Sequence, residues 1–440
     1  MQKHKITRLL NVRLPSWVLP ENWPRINDEP ALASIEIENS RFISLAISDP
    51  AIKEDNNKEN TFDMAGRLAL PALVDAHTHL DKTFTRQRLG SLSPGLLAAI
   101  VAMKEDQRLW NKEDLSLRID QALIQSTNHG VSYLRSHIDW VDDNVPLAWD
   151  VLADHAKMWK SKLRLQRVAL VPLPLLTTKS QVMKIANAVK SSDDAIMGAF
   201  IHSSNFNADA IHWLIQAADE LKLDLDLHID EELNPEAKGL ACLLDALETT
   251  QFSGRVVCGH VCALSQKGDS EALKLLDRIA KQPITLVALP ATNLLLQDAI
   301  TDRTPRQRGL TLVHEAKARS IPVLFASDNV QDAFCAFGDY DPVEALRLGV
   351  YSAHLNNAFD EWSQSICRKD WLNQPEPYFN LIGLPANLCI FDTTTAACWP
   401  NNEERHLLQN GQWIEPSANR FLSTFHCQLN SNTTSGISHD

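Results

Sequence analysis

The chain has 440 residues, with 55 acidic side chains against 42 Lys plus Arg, a net charge of −13 and eight cysteines. That length can bury a sizeable core, one large domain plus a smaller one. The acidic balance speaks against a nucleic-acid partner or an anionic membrane surface, and the apolar stretches are too short to span a bilayer. The scattered cysteines read as reduced thiols in a cytoplasmic protein.

Residues 1–68 mix short apolar runs with turn material. Ile35-Glu36-Ile37-Glu38 alternates as a strand does, and Asp49–Asp63 is a polar connection. Residues 69–383 then alternate strand-like and helix-like segments. Apolar runs end at His79, His137, Pro172, His202, His228, His260, Pro290 and Asp328. Helical patterns lie between most of them, as in Ala208–Leu221 and Ser270–Ile279. Eight strand–helix units predict a (β/α)8 barrel, an α/β fold that gathers functional residues at its strand C-termini. Residues 384–430 return to short strands at Leu388–Phe391 and Gln412–Ile414, and 431–440 read as a disordered tail.

The first barrel run ends in Asp75-Ala76-His77-Thr78-His79-Leu80-Asp81-Lys82. Residues i and i+2 of a strand share a side, so His77 and His79 can aim two imidazoles at one metal ion. Alone, two solvated histidines would explain the pattern as well. Leu225–Glu231 adds a third imidazole, His228, and an acid just past the strand end, Glu231. In Val256–Cys262, the residues Cys258, His260 and Cys262 are expected on one strand face. His260 reads either as a proton donor or oxyanion stabiliser, or as a satisfied core histidine. Pro322–Asn329 ends in Asp328, where a carboxylate could touch a metal and take a proton from water. Together these make an open catalytic metal site.

The motifs Leu68–Asp81, Leu134–Asp139, His228–Glu231, Gly259-His260, Asn293, Pro305–Thr311 and Ala326–Asp332 run through nearly the whole chain. Their order and spacing resemble the amidohydrolase superfamily, in its cytosine deaminase-like branch. The resemblance implies a barrel carrying a small β-sandwich built from both chain ends. It implies one divalent ion, zinc or iron with manganese as a third choice, on His77, His79, His228 and Asp328. Glu231, His260 and Asp328 would be the catalytic groups. His202 stands at the fourth strand, where two-metal relatives carry a bridging lysine, so a mononuclear site is expected.

The substrate reader departs from that of cytosine deaminases. Val171-Pro172-Leu173-Pro174-Leu175 stands where their Phe-Pro-Gln lies, and leucine cannot read a pyrimidine amide. Asn329 replaces an acid, and Phe334 replaces a tryptophan. The expected substrate contacts are Lys82, His137, Leu173, His202, Asn293, Asn329 and Phe334, with Gln297 near Asn293 and the Arg86/Arg88 segment in a covering loop. The implied activity is hydrolytic release of ammonia from a small amino-substituted nitrogen heterocycle, a pyrimidine, triazine or related ring. The alternatives are cleavage of an N-alkylamine or cyclic amide on the same scaffold, and a non-enzymatic relative. Barrels of this kind often assemble, so a homo-oligomer is expected.

Overall fold

Eight parallel strands form one continuous sheet in sequence order. They are Leu73–Thr78, Val131–Asp139, Arg164–Pro172, Ala195–Ile201, Leu225–Ile229, Val256–His260, Ile284–Ala288 and Val323–Phe325. This computed structural model describes residues 6–48, 60–373 and 379–414. The expected tail, 431–440, lies outside them. The sheet curls until its ends meet: Thr78 bridges Asp328 in parallel, and the Asp328 amide donates to the His77 carbonyl at 2.9 Å. The (β/α)8 barrel is therefore present, with its seam at the C-terminal mouth.

Strand alternation divides the side chains into two cores. Leu225, Leu227 and Ile229 face outward into the helical layer with Val256, Cys258 and Leu286. Val74, Ala76, Tyr133, Val257, Val287, Leu324 and Ala326 fill the barrel interior, with Leu372 among them. The helix expected at Ala208–Leu221 has those bounds; Asn207 caps it by accepting from the Ala210 amide, and Ile211, Leu214, Ile215 and Ala218 are buried. The helix expected at Ser270–Ile279 begins one residue earlier, at Asp269.

The chain ends build two four-stranded sheets. One joins Arg41–Ile47, Ala33–Glu38, Arg8–Val12 and Thr61–Asp63; the other joins Gln412–Ile414, Arg405–Gln409, Leu388–Phe391 and Ala69–Pro71. Leu9, Ile35 and Phe42 of the first share an apolar core with Ala69, Leu388 and Ile390 of the second, which makes the small β-sandwich. Ala69–Pro71, expected at the start of the barrel, thus belongs to the sandwich, and the barrel begins at Leu73. Among the described residues, no helix is long and apolar enough to cross a membrane.

Candidate active site

Four candidate ligand atoms converge at the barrel mouth. His77 Nε2 lies 3.0 Å from His228 Nε2, which lies 3.1 Å from His79 Nε2. Asp328 Oδ1 is 3.2 Å from His79 Nε2 and 3.6 Å from His77 Nε2. Ligands about 2.0–2.1 Å from a tetrahedral zinc stand roughly 3.3–3.4 Å apart, so the spacing suits one ion. Burial, reinforced by neighbouring histidines and at His79 first by the Lys82 ammonium, pushes all three imidazoles well below the usual histidine range. Neutral imidazoles are what a divalent ion binds. In each contact at most one nitrogen can carry the shared proton, whereas a single cation satisfies all four atoms. The residues present therefore fit the ion that the sequence implies.

The backbone is bent to make this possible. Asp328 and His260 both have left-handed φ, 62° and 67°, and Val261 follows at 49°. Such conformations cost about 1–3 kcal/mol each and persist where surrounding structure enforces them. Cys258, His260 and Cys262 consequently do not share a face. Cys258 packs into the outer core, while the left-handed turn swings His260 into the mouth. Gly259 is the residue that faces inward, and a Cβ there would stand 2.9 Å from His77 Cε1.

Glu231 and His260 form a pair beside the ligand cluster. Glu231 Oε1 is 3.3 Å from His260 Nδ1, and the Asn293 amide nitrogen is 3.1 Å from the same Nδ1. Gln297 donates to the Glu231 carbonyl at 3.1 Å. Burial, then the charge of Asp328, raises the Glu231 carboxyl well above the usual range. Burial also raises Asp328, partly offset by His260 and Thr292, and it lowers His260 to about 4.

A cavity of about 380 Å³ opens onto these groups. His79, His228, Glu231, His260 and Asn329 form its polar end; Trp140, Leu170, Pro172, Pro174, Phe200 and Phe334 form its apolar walls. Lys82 enters between them. Its ammonium donates to Asp139 at 2.8 Å and sits 5.1 Å over the Phe334 ring. Burial alone would lower Lys82, but Asp139 and Asp81 outweigh it and raise its pKa. The cover is the helix Leu96–Asp106, whose Leu96, Leu97, Ile100 and Met103 face the cavity. Arg88, expected in a covering loop, ties Asp106 at the end of that helix to Asp114, at 2.7 and 2.6 Å, and does not itself line the cavity.

Four expected substrate contacts lie elsewhere. Leu173 is fully buried in the outer core, because a 3-10 turn over Leu173–Leu176 rotates it away from the mouth; Pro172 and Pro174 line the cavity in its place. His137 is fully buried beneath the ligand cluster, stacked on His77 and paired with Asp226. His202 faces a broad outer hollow with Glu232, Asn234 and Gln307, which shares Leu96, Leu97 and Glu231 with the cavity. Asn293 touches His260 and Glu231 and does not line the cavity. The residue pattern gave little sign of the covering helix, whose segment Leu96-Leu97-Ala98-Ala99-Ile100-Val101 is continuously apolar. The Lys82–Asp139 pair joins two motifs, His79–Lys82 and Arg135–Asp139, that are far apart in the chain.

A closed parallel barrel with imidazoles and a carboxylate converging at its C-terminal mouth is the architecture of a metal-dependent hydrolase. No protein-family model matches the chain. Pterin deaminase of Rhizobium rhizogenes (strain K84 / ATCC BAA-868) is 32% identical over 363 residues, 81% of this chain and 82% of that protein. N-isopropylammelide isopropyl amidohydrolase of Pseudomonas sp. (strain ADP) is 20% identical over 344 residues, 76% of this chain and 80% of that protein. The crystal structure of 5-methylcytosine deaminase from Klebsiella pneumoniae liganded with 5-fluorocytosine superposes with a TM-score of 0.78 at 21% identity, covering 93% of this chain and 97% of that one. The chain belongs to the amidohydrolase superfamily, in its cytosine deaminase-like branch. It is a hydrolase of C–N bonds other than peptide bonds.

Proposed function

We propose that the protein hydrolytically deaminates an amino-substituted fused nitrogen heterocycle of the pterin class, using one divalent ion held by His77, His79, His228 and Asp328. The observation that carries this reading is the 32% identity to a pterin deaminase across most of both chains. The site chemistry agrees with it. Zinc or iron suits three imidazoles and a carboxylate, with manganese as a third choice. The scattered thiols support a reducing, cytoplasmic setting for this reading.

An ion bound there lowers the pKa of water towards neutrality. Asp328 accepts a proton from the attacking water. Glu231, kept protonated by burial, gives its proton to the ring nitrogen beside the amino-bearing carbon, which makes that carbon electrophilic. With Nδ1 facing the Asn293 amide nitrogen, His260 directs Nε2–H at the developing negative oxygen. A C–O bond forms; the proton taken by Asp328 passes to the amine, the remaining hydroxyl proton returns to Glu231 as the ring carbonyl forms, the C–N bond breaks, and ammonia leaves.

The apolar walls suit a flat ring, and the Lys82 ammonium supplies a donor for a ring carbonyl. The side chains of Pro172 and Pro174 offer no hydrogen bond where cytosine deaminases place a glutamine, at about 1–3 kcal/mol for the partner left unmet, so poor turnover of cytosine is expected. The test is ammonia release by zinc-, iron- and manganese-loaded protein from pterin, cytosine, isocytosine and aminotriazines. Ammonia from pterin at a kcat/KM above roughly 10⁴ M⁻¹s⁻¹ supports the reading. Release of an alkylamine from N-alkylated rings, with no ammonia from any amino-heterocycle, would replace it with the N-dealkylating alternative.

A further inference from the structure

A second polar layer lies under the ligand cluster, and the reaction above does not use it. Asp226 stands two residues before His228 on the fifth barrel strand, and Arg135 two residues before His137 on the second, so each pair shares a face. His137 Nε2 is 3.1 Å from Asp226 Oδ1, and the Arg135 guanidinium donates to Asp226 Oδ2 at 2.7 Å. Arg135 also donates to Gln166 Oε1 at 2.7 Å, and the Tyr133 hydroxyl donates to that same oxygen. Exposure is 0% for His137 and Asp226 and 1% for Arg135. The sixth to eighth strands contribute Val257, Thr285, Val287 and Leu324 to the interior, so the charged groups of this layer stand on the opposite wall.

That wall supports one ligand in particular. The His137 ring stacks on the His77 ring with centroids 3.8 Å apart and planes 29° from parallel. Gly259 confines the same imidazole, since a Cβ there would come within 2.9 Å of it. We propose that His137 and Asp226 are positioning residues that hold the His77 imidazole ready for the metal. The inference rests on the reading of His77 as a ligand. Asp226, itself clamped by Arg135, fixes Nε2 of His137 and so stops that ring from turning. The fixed ring then denies His77 its other rotamers. A ligand oriented before the ion arrives loses less freedom on binding, and outer partners of this kind commonly govern metal affinity.

The experiment measures Zn²⁺ affinity by competition with a chromophoric chelator, and the visible spectrum with Co²⁺. It compares the wild type with His137→Ala, His137→Phe, Asp226→Asn and Tyr133→Phe. His137→Ala and Asp226→Asn should weaken Zn²⁺ binding about 10- to 100-fold and shift the Co²⁺ bands. His137→Phe, which keeps the stacked ring and loses the Asp226 contact, should fall between them and the wild type. Tyr133→Phe, in the same polar wall but without contact to His77, should bind as the wild type does. Should Asp226→Asn fail to fold because Arg135 loses its counter-charge, the two His137 variants decide. A merely structural role would lower the melting temperature of the metal-free protein and leave Zn²⁺ affinity within twofold, and that result overturns the proposal. A wild type that binds neither Zn²⁺ nor Co²⁺ overturns the ligand reading itself, so the two failures are distinguishable.

Discussion

The amide of Asp328 donates to the carbonyl of His77 at 2.9 Å, so the barrel closes through the backbones of two proposed metal ligands. The seam and the site are one construction, and side-chain chemistry can be separated from backbone closure there. Asp328 has a φ of 62°, which Asn adopts readily and β-branched residues do not. Asp328→Asn should fold, keep its melting temperature within a few degrees, and lose about 10²–10⁴-fold in turnover as the base disappears. Asp328→Val should lose activity and also about 1–3 kcal/mol of stability from the strained backbone. Equal melting temperatures for the two variants, followed by circular dichroism, would separate the seam from the side chain's conformation.

The alkaline limb of the pH profile should belong to Glu231. Burial raises its carboxyl well above the usual range, so it carries the proton that the mechanism spends at neutral pH. Activity that needs this proton is full below the raised pKa and falls as pH rises through it. Glu231→Gln keeps the shape and loses the transferable proton. It should cut turnover about 10²–10⁴-fold and flatten the alkaline limb of kcat/KM. An unchanged alkaline limb in the variant would assign that limb to another group.

Much of this site was legible because strand-end chemistry is local. His77, His79, His228 and Asp328 each end an apolar run, and parallel barrel strands bring such ends to one mouth. Depth and rotation were not legible. His137 also ends a polar-tipped strand, yet it lies under the cluster, because strand alternation fixes the side but not the layer. Leu173 was turned outward by a 3-10 turn, and His260 was swung inward by a left-handed φ. Both are rotations at the residue where strand periodicity stops. The sandwich strand Ala69–Pro71 was indistinguishable from the barrel strand that follows it, since both are short and apolar and only Ala72 separates them.

Asp75 should make the metal-free protein less stable as the medium becomes alkaline. It is fully buried, accepts the Ser327 amide at 3.0 Å, and is raised to about 7, chiefly by burial. The folded state therefore holds a proton that the unfolded chain releases near pH 4. Its contribution is complete below that ordinary value and is lost as pH rises towards about 7. Asp75→Asn can still accept the Ser327 amide and has no proton to lose. Relative to wild type it should gain about 2–4 kcal/mol between pH 4 and pH 8, as an upper range for so buried a group. Urea unfolding of chelator-treated protein at the two pH values checks this, and parallel stability curves would count against it.

Gly259 sets how closely the sixth strand can approach the His77 ring. An alanine Cβ would stand 2.9 Å from Cε1 and 3.1 Å from Nδ1, closer than van der Waals contact allows. The ring cannot retreat freely, because His137 stacks against it 3.8 Å away. Either the imidazole tilts off the point shared with His79 and His228, or the strand shifts, and a shift would disturb Glu231 through His260, 3.3 Å from it. Both routes end in a misplaced reacting group. Overpacking of this kind costs about 1–3 kcal/mol in a packed interior, too little to unfold a typical domain. Gly259→Ala should therefore remain folded and lose about 10²-fold in kcat/KM. Metal titration alongside turnover tells the two routes apart: a tilted ring weakens both, whereas a shifted strand lowers kcat with Zn²⁺ affinity intact.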